Sequence, residues 1–213
     1  MTSTLKAFIS SLAGAKAPGP NTTFTVFHIF YALELMSEKT IGRNKLAGKL
    51  NVGEGAIRTI ISRLVDAGLI STSKEGCSLT AKGLHVWKQF AEAFPYRVEI
   101  PKTELTTSDY NYAFLVKNSG HKVQSGIDQR DAAIIAGARR ALVIISKGGH
   151  LGIESVSDSI EKEFPKAASQ ILKGLKPEDN DVIVLAGGDT LLKAKRGAFA
   201  AGWSLLEDEK KQR

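Results

Sequence analysis

Between residues 41 and 80 the chain reads IGRNKLAGKLNVGEGAIRTIISRLVDAGLISTSKEGCSLT, and its cations and hydroxyls recur at helical spacing. Ile57, Ile60, Ile61, Leu64 and Val65 fall at i, i+3, i+4, i+7 and i+8, one apolar stripe along a helix. Arg58, Thr59, Ser62 and Arg63 occupy the other face, after Glu54 and Gly55 at the helix start. A guanidinium can bond the O6 and N7 atoms of guanine together, and short hydroxyls can bond base edges or phosphate oxygens. Arg58 is therefore the candidate base reader. Arg43, Lys45 and Lys49 just upstream, and Lys74 downstream, are of the type that neutralises phosphates.

Positioning such groups takes a small set of elements. Arg43 to Leu50 predicts one short helix, and a second starts near Gly53–Glu54 and stops at Gly68, since glycine readily takes the left-handed conformation that ends helices. Leu69 to Thr72 and Cys77 to Thr80 flank Lys74-Glu75-Gly76 as a two-stranded hairpin with a glycine turn. That order of pieces resembles the winged helix-turn-helix of DNA-binding transcription regulators. The resemblance covers roughly residues 22–94. It is reinforced by Leu79-Thr80-Ala81-Lys82-Gly83, which is similar to the L-T-x-x-G after the wing in many such regulators. It implies that the second helix enters the major groove of duplex DNA, with side chains near its N-terminus reaching the bases.

Composition bounds the alternatives. At 213 residues, 43% hydrophobic and 24% charged, the chain is globular and long enough for two small domains. No apolar run reaches the roughly 18 residues needed to span a bilayer. Leu5 to Ala15 is weakly apolar and lacks the long core and cleavage site of a signal peptide, so a leader or short helix is expected there. One cysteine, Cys77, excludes an internal disulfide and fits a reducing cytoplasm. Residues 1–95 hold 11 Lys/Arg against 6 Asp/Glu, so five of the seven net positive charges lie in the segment that would meet phosphate.

The rest of the N-terminal domain follows from periodicity. Thr22 to Ser37 predicts a helix capped by Asn21 or Thr22, and Ala81 to Phe94 another, whose Leu84, Val86, Trp87 and Phe90 would support the wing or meet a second subunit. Residues 95–110 read as a linker with a strand at Tyr96 to Ile100. Beyond it, strands are expected at Tyr112 to Val116, His121 to Gln124, Ala141 to Ser146, His150 to Ile153 and Val182 to Ala186. Helices are expected at Gln129 to Ala138, at Val156 to Leu175 with an interruption at Pro165, and at Thr190 to Leu206. The fold class is α+β or mixed: a winged helix-turn-helix in residues 1–94, then a small α/β sandwich domain in residues 111–213 with one sheet covered mainly on one face.

Two sequences in that second domain could hold a ligand. Val184 to Thr190 runs strand, Gly187-Gly188, helix start, so backbone amides could face an anion there, with Arg130 of Gln129-Arg130-Asp131 as partner. The rival reading is a tight turn in which Asp189 caps the last helix. The pairing of a winged helix with a segment carrying "RDAAI" and "GGD" resembles an uncharacterised archaeal family whose C-terminal domain has no assigned role. Nothing calls for a cofactor or metal. His28, His85, His121 and His150 sit on unrelated elements, though His121 and His150 could meet across a sheet, and Cys77 has no CxxC partner. The expectation is a cytoplasmic homodimer that binds double-stranded DNA and takes an anionic effector at Arg130, Gly187, Gly188 and Thr190. The alternatives are a nucleotide-using enzyme with a winged-helix appendage, and a protein-interaction adaptor.

Overall fold

The structure is a computed structural model and describes residues 2–14, 22–154 and 156–206. Its contacts divide it after Phe90 into two compact units.

In the first unit, α1 (Thr2–Ala13) is a helix that buries Leu5, Ile9 and Ala13. Helix α2 (Val26–Glu38) starts four residues later than Thr22, because Thr25 and His28 form a reciprocal cap in which the Thr25 N–H donates to His28 Nδ1 at 2.9 Å. Asn21 lies outside the described residues. Phe27, Ile29, Phe30, Leu33 and Met36 of α2 are buried. Helices α3 (Arg43–Leu50) and α4 (Glu54–Asp66) follow, joined by a turn in which Asn51 is left-handed at φ 53°. Gly68 at φ 71° ends α4 as expected, its N–H bonding the Val65 carbonyl at 2.8 Å. Ile57, Ile60 and Leu64 are buried, whereas Val65 is exposed and Ile61 half-buried, so the core stripe is narrower than the sequence pattern.

Strands β1 (Ile70–Ser73) and β2 (Gly76–Leu79) form the expected hairpin, with Lys74 and Glu75 at its tip. A bridge not foreseen from the sequence pairs Ile41 with Cys77, at 2.9 and 3.0 Å, and ties the hairpin to the segment before α3. Gly76, at φ 135°, lies against that bridge, where a Cβ would sit 2.5 Å from the Ile41 carbonyl oxygen. The hairpin runs directly into α5 (Ala81–Ala93). Thr80 accepts from the Gly83 N–H at 3.1 Å and donates to the Gly68 carbonyl at 2.7 Å, and a Cβ on Gly83 would collide with the Leu69 carbonyl. The Leu-Thr-x-x-Gly pattern thus clamps the helix start to the base of the hairpin. Phe90 and Trp87 pack on Phe30 at centroid distances of 5.2 and 5.8 Å, leaving Leu84 exposed. That face serves the unit's own core rather than standing free for a second subunit.

The second unit is built on a five-stranded sheet. Its strands are β3 (Arg97–Glu99), β4 (Tyr110–Val116), β5 (Arg140–Lys147), β6 (His150–Gly152) and β7 (Val182–Gly188), ordered β3-β4-β7-β5-β6 with every pair antiparallel. The expected linker 95–110 therefore contributes an edge strand and the buried Ile100 to this sheet. Helices α6 (Ile127–Ile135), α7 (Ile160–Glu163), α8 (Pro165–Leu175) and α9 (Leu191–Ser204) complete the unit. All seven residues of β7 are buried. Ile183 and Leu185 join Ile160, Ile171 and Leu175 of α7 and α8 in one core, and Phe114 of β4 packs on Phe199 of α9 at 6.1 Å. The sheet is therefore covered on both faces, not mainly one. Two further expectations change. His121 lies in a 3-10 turn, Gly120–Lys122, because Asn180 reaches across to accept from the His121 N–H at 3.1 Å. The stretch after Val156 becomes helical only at Ile160, while the interruption expected at Pro165 falls at Phe164, just before it. No helix of the described residues is long and apolar enough to cross a membrane.

Candidate nucleic-acid interface

Three elements of the first unit converge on one hollow of about 680 Å³. Arg43 and Lys45 reach it from α3, Ile61 forms its α4 wall, and Lys74 and Ser73 close it from the hairpin. Three of the expected phosphate-binding cations are thus gathered by a fold that separates them by up to 31 positions in sequence. Lys49 is exposed on the last turn of α3, away from the lining.

Arg58, Thr59 and Ser62 stand on the exposed side of α4. Glu54, one turn before Arg58, accepts from its guanidinium at 2.7 Å and lies 3.7 Å from Arg43. The hydrogen bond from Arg58, then its charge and that of Arg43, hold the Glu54 carboxyl below the usual carboxylate range. Glu54 therefore aligns the two arginines at the start of α4. Thr59 donates to the Gly55 carbonyl at 3.0 Å, which leaves its lone pairs outward, and Ser62 donates to Asp66 at 3.5 Å.

Arg63 departs from the expected array. Its side chain is buried, donates to the carbonyls of Leu12 at 2.8 Å and Gly14 at 2.6 Å, and lies over the Phe24 ring at 5.2 Å. The position follows Ile60 by three residues and so flanks the buried stripe, and the carbonyls left over at the end of α1 attract a cation. Arg63 belongs to the unit's interior, not to a DNA-facing surface. Cys77 is also buried, and burial pushes its thiol up despite the opposing charge of Arg43.

In the second unit Arg130, proposed to hold an anion with Gly187, Gly188 and Thr190, lines neither of the hollows that those glycines border. Gly187 and Gly188 continue β7, where they pair with Arg140 and Tyr110, so no glycine loop intervenes before α9. Their lack of a side chain serves packing: a Cβ on Gly187 would collide with Ser108, and one on Gly188 would sit 2.9 Å from the Ala194 nitrogen. Thr190, rather than Asp189, caps α9, accepting from the Lys193 N–H at 3.2 Å. Asp189 pairs with Arg139 and, at 3.4 Å, with Lys193, and Arg139 holds its carboxyl below the usual range. Arg130 sits on the exposed face of α6 beside Asp131, at 3.5 Å. A hollow of about 320 Å³ does open at this end of the sheet, lined by Thr107, Ser108, Arg139, Arg140, Gly188 and Asp189. Its cations are Arg139 and Arg140, which the sequence reading missed; the adjacent pair at the start of a buried strand was the available signal. His121 lies 3.3 Å from the Asn180 amide, and His150 is exposed on β6. Among the described residues no three His, Cys, Asp or Glu side chains are grouped to hold a metal.

The chain thus pairs a helical unit, with a helix-turn-helix, a hairpin and a cationic hollow, with a separate sheet domain. Comparison with known proteins agrees on both parts. Residues 25–94 match the CggR N-terminal DNA binding domain, and residues 107–205 match a domain of unknown function, DUF4443. A hypothetical protein of Pyrococcus horikoshii OT3 shares the fold, with a TM-score of 0.71 and 23% identity over 85% of this chain and 92% of that one. No curated protein matches.

Proposed function

We propose that the chain is a cytoplasmic transcription regulator whose winged helix lays α4 in the major groove of duplex DNA. Arg58 reads a base edge there, Thr59 and Ser62 bond bases or adjoining phosphates, and Arg43, Lys45, Lys49 and Lys74 contact the backbone. The observation that carries this reading is the convergence of Arg43, Lys45 and Lys74 on one hollow, beside the exposed face of α4 and within the segment that matches a DNA-binding domain. A positive groove flanked by a hydrogen-bonding helix complements a phosphate backbone with base edges between its strands. The second unit serves dimerisation, and any small anionic effector would meet Arg139 and Arg140 beside Gly188, rather than Arg130. Two copies would place their α4 helices on half-sites about one helical turn apart.

Selection of bound duplexes from a randomised pool tests the proposal. The intact chain enriches a repeated half-site, and Arg58→Ala still retains DNA but enriches it weakly, with a loss of about 1–3 kcal/mol at the preferred site. Retention of no duplex by the intact chain at low salt would overturn the reading.

A further inference from the structure

Helix α6 turns Gln129 and Ala133 inward and is held from behind by α9, where Gly197 lies so close that a Cβ would sit 3.3 Å from the Ala133 carbonyl oxygen. Its other face leaves three isoleucines in water: Ile127 is 50% exposed, Ile134 42% and Ile135 87%. At 3.6 residues per turn, Ile127 and Ile134 lie within about 20° of one line along the helix. Arg130 lies about 50° to one side of that line and Asp131 about 50° to the other, with Asp128 and Ile135 further round on the side of Asp131. The face is thus an apolar ridge with a cation on one flank and two carboxylates on the other.

We propose that this face docks a second copy of the chain, with the two α6 helices side by side and parallel across a two-fold axis. The charges choose both the occupant and the orientation. A parallel two-fold sets each helix's cationic flank against the acidic flank of its mate, so Arg130 of one copy lies level with the gap between Asp128 and Asp131 of the other, twice over. Ile127 then meets Ile127 and Ile134 meets Ile134 across the axis. An antiparallel two-fold instead stacks Arg130 on Arg130 and Asp131 on Asp131. Self-complementarity of a single patch is what a two-fold interface requires. Arg130 and Asp131 are paired within the helix at 3.5 Å, but their side chains are 57% and 56% exposed, so exchange to the second copy meets no steric bar.

The proposal deepens the homodimer reading above and rests on it. The full chain is suited to the test because its single native cysteine, Cys77, is 3% exposed. Ile127→Cys and Ile134→Cys are made separately and oxidised, and sedimentation of the unmodified chain is compared with that of Ile134→Asp. Each cysteine variant alone is expected to give a disulfide-linked dimer, and Ile134→Asp to raise the dimer dissociation constant about tenfold or more. Crosslinking only when the two cysteine variants are mixed would overturn the parallel arrangement. A dimer that survives Ile134→Asp and crosslinks in neither case would overturn α6 as its site while leaving the homodimer reading intact. A chain monomeric at every concentration, free and on DNA, would remove both.

Discussion

The guanidinium of Arg63 donates to the carbonyl of Gly14 at 2.6 Å, and so joins α4 to the end of α1 across 49 positions of sequence. One cation on α4 is thereby committed to holding the unit together. Arg63→Ala should therefore lower stability by about 1–3 kcal/mol, since it removes charge-assisted bonds and leaves helix-end carbonyls without their donor. The slope of DNA affinity against salt should stay that of the unmodified chain. Thermal melts and a salt series on the same variant check both halves; an unchanged melting temperature with a shallower slope would return Arg63 to the DNA surface.

Asp181 is 1% exposed and accepts from the Asn118 N–H and the Glu178 N–H, each at 2.9 Å, and from the Lys117 ammonium at 3.1 Å. It closes the loop ahead of β7 onto the end of β4. Asp181→Ala leaves those two amides without their acceptor and Lys117 with Glu178 alone, at 2.5 Å, and should cost about 2–4 kcal/mol, read as a lower unfolding midpoint in urea. A loss below about 1 kcal/mol would mean that water replaces the carboxylate.

Burial raises the Cys77 thiol, so the folded chain keeps a proton that the unfolded chain releases above the ordinary thiol pKa of about 8.5. The associated stability is complete below that pH and declines as pH rises toward the elevated folded value. Thiol reagents at pH 8 should modify Cys77 far more slowly in the native chain than in urea. Equal rates would contradict its burial on β2.

How much of this was legible in the sequence depends on how local each cause is. The bounds of α3, the end of α4 at Gly68 and the β1–β2 hairpin depend on neighbours within a few residues, and the pattern located them. The inward turn of Arg63 depends on α1, the Ile41–Cys77 bridge joins residues 36 positions apart, and the turn at His121 is set by Asn180. None of those partners is visible in a local window. Gly187-Gly188 misled for the same reason. A glycine pair before a helix suggests an anion loop until Ser108 and Ala194 are seen filling the space beside it. At the candidate interface the residue types were readable, but not that Arg43, Lys45 and Lys74 share one hollow, nor that Glu54 joins two of the arginines.

The most direct test of the central claim is affinity for a random duplex across a salt series, with the full chain compared against Lys45→Ala/Lys74→Ala. If the hollow between α3 and the hairpin holds phosphates, log affinity falls steeply with log salt, and the double variant flattens that slope by about 2. Absence of binding at low salt, or a slope indifferent to both lysines, would contradict it.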